Sequence, residues 1–217
     1  MKSGMIRMAV LISGEGGNLQ ALIDACDSGK INGEIVTVVS NKADAYGLQR
    51  AQQAGIENRT FLRNAYADNQ TMDLAIADYL QQCKVDLIVL AGYMKILTAA
   101  FIQRFSDRIL NIHPSLLPKY PGLDTYRRAM EAGDQQHGTT VHFVNEEVDA
   151  GAIVLQAKVP IFSDDQVEDV VERVKAQELQ IYPLVVSWFA QGRLQLLDGK
   201  AWLDGEALPP NGYAADE

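Results

Sequence analysis

Cysteine is almost missing from this chain. Only Cys26 and Cys83 occur in 217 residues. They stand far apart in helix-like segments, with no CxxC pair or histidine-rich neighbourhood, which excludes a disulfide framework and argues against redox or metal chemistry. Both are expected to be buried thiols. Positive charge is also scarce: 19 Lys and Arg face 28 Asp and Glu, a net charge of -9. That balance suits a nucleic-acid backbone poorly, so no nucleic-acid partner is expected. Long apolar runs are lacking too. The stretch "VDLIVLAGYMKIL" is too short and interrupted to span a bilayer, and the opening "MKSGMIRMAVLISGEGG" has no signal-like segment with a small-residue cleavage site. A cytoplasmic protein without membrane partners is expected. At 47% hydrophobic residues the chain has enough apolar material for a substantial core.

The apolar residues alternate between two periods. Short runs, "MIRMAVLIS" (5–13), "EIVTVVS" (34–40), "VDLIVLAGY" (85–93) and "RILNIH" (108–113), read as strands. Between them, "NLQALIDACDSG" (18–29), "AYGLQRAQQAG" (45–55) and "TMDLAIADYLQQC" (71–83) repeat apolar residues at helical spacing. The pattern predicts an α/β fold: one mostly parallel twisted sheet with helices on both faces. Gly29 and Gly55 stand where left-handed helix caps belong. Beyond Gly122 follow a helical piece to Ala132, strand-like runs at 138–145 and 151–161, and a long amphipathic helix from about Asp165 to Ala190. The end reads as a short hairpin with Asp-Gly turns and a polar tail. No linker, repeat or low-complexity tract divides the chain.

In such a sheet, ligands gather at the carboxyl ends of the strands. Three loops with chemical potential are assigned to those ends. In "SGEGGNLQ", Gly14, Gly16 and Gly17 lie between a strand and a helix, so backbone N–H groups can close on an anion; tight packing alone explains such a turn equally well. The sequence does not match a dinucleotide fingerprint, since Leu19 takes the place of the final glycine. In "LNIHPSLLPKYPG", Asn111 and His113 have period-two spacing and share one strand face, while Ile112 turns to the opposite one. Pro114, Pro118 and Pro121 then stiffen the loop. An amide and an imidazole at a strand end suit a developing oxyanion. A lone histidine is more often satisfied by a core carbonyl, and Asn111 beside it favours the catalytic reading. In "NEEVDAGAIV", Asp149 either orients the imidazole and relays protons through water or is an ordinary turn carboxylate.

Taken together, "LISGEGGNLQALIDA", "SNKADAYGLQRA", "LAGYMKIL", "NIHPSLLPKYPG", "HGTTVHFV", "DAGAIVLQ", "IYPLVVSWFAQGR" and "WLDG" resemble the folate-dependent formyltransferases, and among them the glycinamide ribonucleotide branch. The resemblance runs nearly end to end. It implies one formyltransferase domain over 1–217, with a phosphate-binding, Rossmann-like half (1–105) and a half carrying the catalytic loop, mixed strands and long helix (106–217). It implies formyl transfer from 10-formyltetrahydrofolate, as cosubstrate and without metal, to the amine of glycinamide ribonucleotide, in purine synthesis. Asn111, His113 and Asp149 would be the catalytic set, with Asn111 and protonated His113 meeting the oxyanion and Asp149 holding the ring and a relay water. The ribonucleotide would take Gly16, Gly17, Asn18, Lys175 and Glu178. The folate would take Met94, Lys95, Ile96, Leu97, Asn111 and the segment Asn145, Glu146, Glu147, Val148 and Asp149. Without the resemblance, Glu178 reads as a solvated helix face and "MKIL" as core. Gly17 departs from the serine or threonine common in relatives, and Lys95 from their arginine. The resemblance also allows a weak homodimer. Rival readings are a sugar-nucleotide formyltransferase and a non-catalytic nucleotide-binding module. An initiator-tRNA formyltransferase should add a basic domain, and a formylfolate hydrolase an N-terminal regulatory segment. His137 and His142 are left outside the catalytic set.

Overall fold

A computed structural model of the chain describes residues 4–214. The end of the polar tail lies outside the described residues. Seven strands form one sheet in the order β3-β2-β1-β4-β5-β6-β7. They are β1 (Ile6–Ile12), β2 (Gly33–Ser40), β3 (Asn58–Thr60), β4 (Leu87–Leu90), β5 (Ile109–His113), β6 (Gln136–Phe143) and β7 (Ile153–Pro160). β1 to β5 are mutually parallel, whereas β6 runs antiparallel to β5 and β7 antiparallel to β6. β1 and β4 are apolar along nearly their whole length because both sheet faces are covered.

One face carries α1 (Gly17–Asp27), α2 (Tyr46–Gln53) and α6 (Val167–Ala190), packed with Val10, Ile12, Val89, Leu110 and Ile112. The other carries α3 (Asn69–Gln82) and α4 (Ala99–Arg104), packed with Leu11, Ile88 and Ile109. α5 (Thr125–Glu131) follows the proline loop. Local chemistry starts these helices where the sequence suggests. Asp68 caps α3 by accepting from the Thr71 N–H at 2.7 Å, and Gln166 with Asp169 forms a reciprocal cap on α6. Gly29 and Gly55 adopt φ of +80° and +70°, as left-handed caps require. Tyr182, fully buried in α6, donates its hydroxyl to the carbonyls of both Leu90 and Leu110, at 2.7 and 3.1 Å, and so pins the helix under β4 and β5.

The structure departs from the sequence reading in several places. β3 and α4 are too short to leave a periodic signal. The C-terminal hairpin is a three-stranded antiparallel sheet of β8 (Leu194–Leu197), β9 (Lys200–Leu203) and β10 (Glu206–Ala207). Its two Asp-Gly turns have positive φ at both residues, as tight hairpins need. Cys26 and Cys83 are only partly buried; burial still pushes the Cys26 thiol up to about 11.

Strand order places the site. The chain moves from β1 outwards to β3 and then returns to β4 on the other side of β1, which opens a crevice outside the carboxyl ends of β1 and β4. The loops after β1, β4 and β5 therefore leave one edge, side by side.

Candidate active site

The glycine loop closes the β1 end. Gly16 has φ +78°, and a Cβ there would lie 2.8 Å from the Gly47 Cα, so both conformation and space demand glycine. The Gly47 N–H donates to the Gly14 carbonyl at 3.0 Å, and Arg50 Nε donates to the Glu15 carbonyl at 2.8 Å. With its carbonyls turned to these donors, the loop leads into the N-terminus of α1, which has no side-chain cap. Asn18, in the first turn of α1, donates from Nδ2 to Glu178 Oε2 at 3.2 Å, while its Oδ1 is buried without a hydrogen-bond partner. Glu178 is buried, not solvated, and that burial raises its carboxyl pKa. Lys175, one turn earlier on α6, is exposed.

The loop after β4 is tied to the first. Ser13 donates its hydroxyl to Asn41 Oδ1 at 2.6 Å and accepts from the Met94 N–H at 2.7 Å. Leu97 is buried, but Met94 and Ile96 are 65% and 70% exposed, which plain core residues would not be. The Lys95 ammonium lies 2.5 Å from Asp73 Oδ1, and Thr98 N–H donates to the other oxygen of that fully buried carboxylate. A buried carboxylate needs such a counter-charge, so what Lys95 offers a ligand here is its backbone.

Asn111 and His113 sit on β5, the latter as its last residue, and Ile112 packs into the opposite core. The His113 Nε2–H donates to the Tyr120 carbonyl at 2.8 Å, and Nδ1 lies 3.6 Å from Asp149 Oδ1. The Gly122 N–H donates to Asp149 Oδ2 at 2.7 Å. Tyr120, Gly122 and Asp149 all have φ between +53° and +80°, a cluster of uncommon conformations around one ring. The proline loop is held from behind. Thr140, opposite His113 in the β5–β6 register, donates to the Ser115 carbonyl and accepts from the Leu117 N–H, while Thr125 donates to the Pro114 carbonyl.

The route of Asp149 corrects the sequence reading. Because β6 is antiparallel, its carboxyl end lies beside Ile109, at the beginning of β5, where the Val144 N–H bonds the Ile109 carbonyl. The turn containing Asp149 thus leaves the sheet at the far edge and doubles back to meet Gly122. Gly151 makes the return feasible: a Cβ there would lie 1.7 Å from the Phe143 carbonyl oxygen. Along this turn Asn145, Glu146, Glu147 and Val148 are exposed. The Glu147 N–H bonds Asn145 Oδ1, and Glu146 accepts from Gln103. Sequence reasoning missed Ser13, Arg50 and Thr140, whose partners here, Met94, Glu15, Ser115 and Leu117, lie 23 to 81 positions away.

A mostly parallel sheet that opens between β1 and β4, with His113 facing Asp149 and Asn111 on the same strand face as His113, suits a group-transfer enzyme of the α/β class. The formyl transferase family model matches residues 6–186, and the chain belongs to that family. It is 67% identical to the phosphoribosylglycinamide formyltransferase of Haemophilus influenzae, over 97% of this chain and 99% of that protein. It is 54% identical to the Escherichia coli enzyme of the same name, over 98% and 100%. Among solved structures, the phosphoribosylglycinamide formyltransferase of Coxiella burnetii in complex with CHES superposes with a TM-score of 0.92 at 44% identity, covering 96% of this chain and 98% of that one.

Proposed function

We propose that this protein transfers a formyl group from 10-formyltetrahydrofolate to the amine of N1-(5-phospho-D-ribosyl)glycinamide, giving formylglycinamide ribonucleotide and tetrahydrofolate in de novo purine synthesis. The observation that carries the reading is His113 facing Asp149 at 3.6 Å, with Asn111 on the same strand face. The full-length match to relatives named phosphoribosylglycinamide formyltransferase favours this acceptor over a sugar nucleotide, and a built catalytic cluster argues against a mere binding module.

The formylfolate supplies the activated one-carbon group. Its flat ring suits the apolar surface of Met94, Ile96 and Val148, large side chains that two loops leave exposed. Lys95 and the 145–149 segment line the same slot with backbone. On the acceptor side, Gly16, Gly17 and the free amides of α1 cradle the phosphate. Asn18 Oδ1, buried and without a partner, accepts from the glycinamide, and Glu178 takes its amine. Lys175 adds positive charge from the exposed side.

The Tyr120 carbonyl occupies one ring nitrogen of His113, so Nδ1 is the nitrogen that serves the reaction. Asp149 faces it at a distance longer than a direct hydrogen bond, which holds the charged ring while leaving the N–H for the formyl oxygen. Asn111 supplies the second donor. Small molecules are the partners in this reading, the cytoplasm the compartment, and self-association no more than a weak homodimer. Among the described residues no helix is long and apolar enough to cross a membrane.

The test is direct. Purified protein is mixed with 10-formyltetrahydrofolate and glycinamide ribonucleotide, with a 4-amino sugar nucleotide as the alternative acceptor, and deformylated folate is followed by absorbance. Turnover with the ribonucleotide alone is expected. Turnover only with the sugar nucleotide, or none with either, overturns the assignment.

A further inference from the structure

His142 lies directly across from Asn111 in the antiparallel pairing of β5 and β6, so the two side chains share a face. The His142 Nδ1 is 2.8 Å from the Phe143 carbonyl, and Asn111 Nδ2 is 3.4 Å from His142 Nε2. A carbonyl only accepts, so Nδ1 carries the proton. Burial lowers the ring's pKa, with the Phe143 hydrogen bond opposing it, and keeps the ring neutral. A neutral imidazole protonated at Nδ1 has a lone pair at Nε2, and only the amide's nitrogen, not its oxygen, can satisfy it.

We propose that His142 is the positioning residue of the catalytic amide: by accepting one N–H of Asn111, it fixes which end of that amide faces the formyl oxygen. The second N–H of the same group is then the oxyanion donor. Were the amide reversed, Oδ1 would meet the developing negative charge, acceptor against acceptor, and the donor would be lost. The carbonyl of Phe143 thus sets a histidine tautomer, the tautomer sets an amide orientation, and the orientation sets the electrostatics at the reacting carbon. A structural histidine at this place would need only the Phe143 bond. The Asn111 contact is what adds a function. The inference rests on the proposed catalytic role of Asn111, and its test separates the two.

In ligand-free protein, the side-chain amide of Asn111 is assigned by NMR from the signal that disappears in Asn111→Ala. Slow hydrogen exchange of this amide is expected in the wild type and in His142→Gln, whose Oε1 replaces the Nε2 acceptor, and fast exchange in His142→Leu. In turnover, His142→Leu should lower kcat by about ten- to a hundredfold with the KM for the ribonucleotide unchanged, and His142→Gln should recover most of it. Adding His142→Leu to Asn111→Ala should cost nothing further. A protected amide in His142→Leu, or additive losses in the double variant, overturns the inference. Near-normal kcat in Asn111→Ala instead overturns the catalytic role of Asn111, whatever the amide signal shows. If His142→Leu does not fold, an unprotected amide in the wild type or in His142→Gln still refutes the contact.

Discussion

The loops after β1 and β5 leave the same edge of one sheet and are both anchored through their carbonyls, yet they present different groups to the site. The glycine loop is fixed through its carbonyls, by the Gly47 N–H on Gly14 and by Arg50 on Glu15. Its amides at the start of α1 are what it presents. The proline loop's carbonyls are held by side chains: the hydroxyls of Thr140 on Ser115 and Thr125 on Pro114, the Gln156 amide on Leu117 and the Arg128 guanidinium on Pro121. What it presents is a side chain, His113, with one nitrogen already committed. The first arrangement suits a fixed anion, for which backbone dipoles suffice. The second suits a changing charge, for which an ionisable group must be aimed. Substitutions in the first region should therefore act on ribonucleotide binding, and those in the second on turnover.

The largest effect tests the second half of that statement. His113→Ala and Asp149→Asn should each lower kcat by about a hundredfold or more, with far-ultraviolet dichroism and thermal midpoint close to the parent. Near-normal turnover in both would end the proposed mechanism. A smaller effect tests the first half. Asn18→Asp places a second carboxylate against Glu178, already raised by burial. The KM for the ribonucleotide should rise by about tenfold, with that for the folate changing much less. Equal weakening of both would count against a phosphate and glycinamide site at this loop.

How far the sequence reveals this contrast depends on the range of each interaction. The shared face of Asn111 and His113 is legible because period two is a property of any strand, and Gly29 and Gly55 are legible as left-handed helix caps. The direction of β6 is not legible: an apolar strand pattern is the same for parallel and antiparallel neighbours. The return of Asp149 from the far edge, and the pairing of Asn111 with His142, 31 positions away, are hidden with it. Glu178 reads as solvent-facing because its partner Asn18 stands on another helix, 160 positions earlier. The candidate catalytic side chains are thus visible by type and spacing, while the groups proposed to orient them appear only when strands are paired.

The two regions should also differ in how pH acts on stability. His142 and His137, both on β6, have pKa values lowered mainly by burial. The unfolded chain takes up these protons near the ordinary imidazole value of 6.5, and the folded chain only at lower pH. Their contribution is therefore present above that value and falls away as pH drops below it. Glu178 has the opposite sign. Its raised pKa gives a contribution that is present below the usual carboxyl value of 4.5 and lost as pH rises through the folded value. Urea midpoints across mildly acidic pH should show His142→Gln with a shallower loss on acidification and Glu178→Gln with a shallower loss on the rising side. Unchanged slopes in both variants would mean that neither buried group governs the profile.

The smallest effect sharpens the account of the glycine loop itself. Gly16 cannot carry a side chain, but a Cβ on Gly17 would meet nothing within 4 Å, and Gly17 lacks the positive φ of its neighbour. The structure thus has room for a hydroxyl at this position. A serine would add one donor to a charged phosphate without disturbing the backbone that binds it. Gly17→Ser should lower the KM for the ribonucleotide a few-fold, about 0.5–1 kcal/mol, and leave kcat and the folate KM unchanged. If the ribonucleotide KM rises instead, the open space at Gly17 is where the phosphate itself sits, and binding depends on the close backbone approach that only glycine permits.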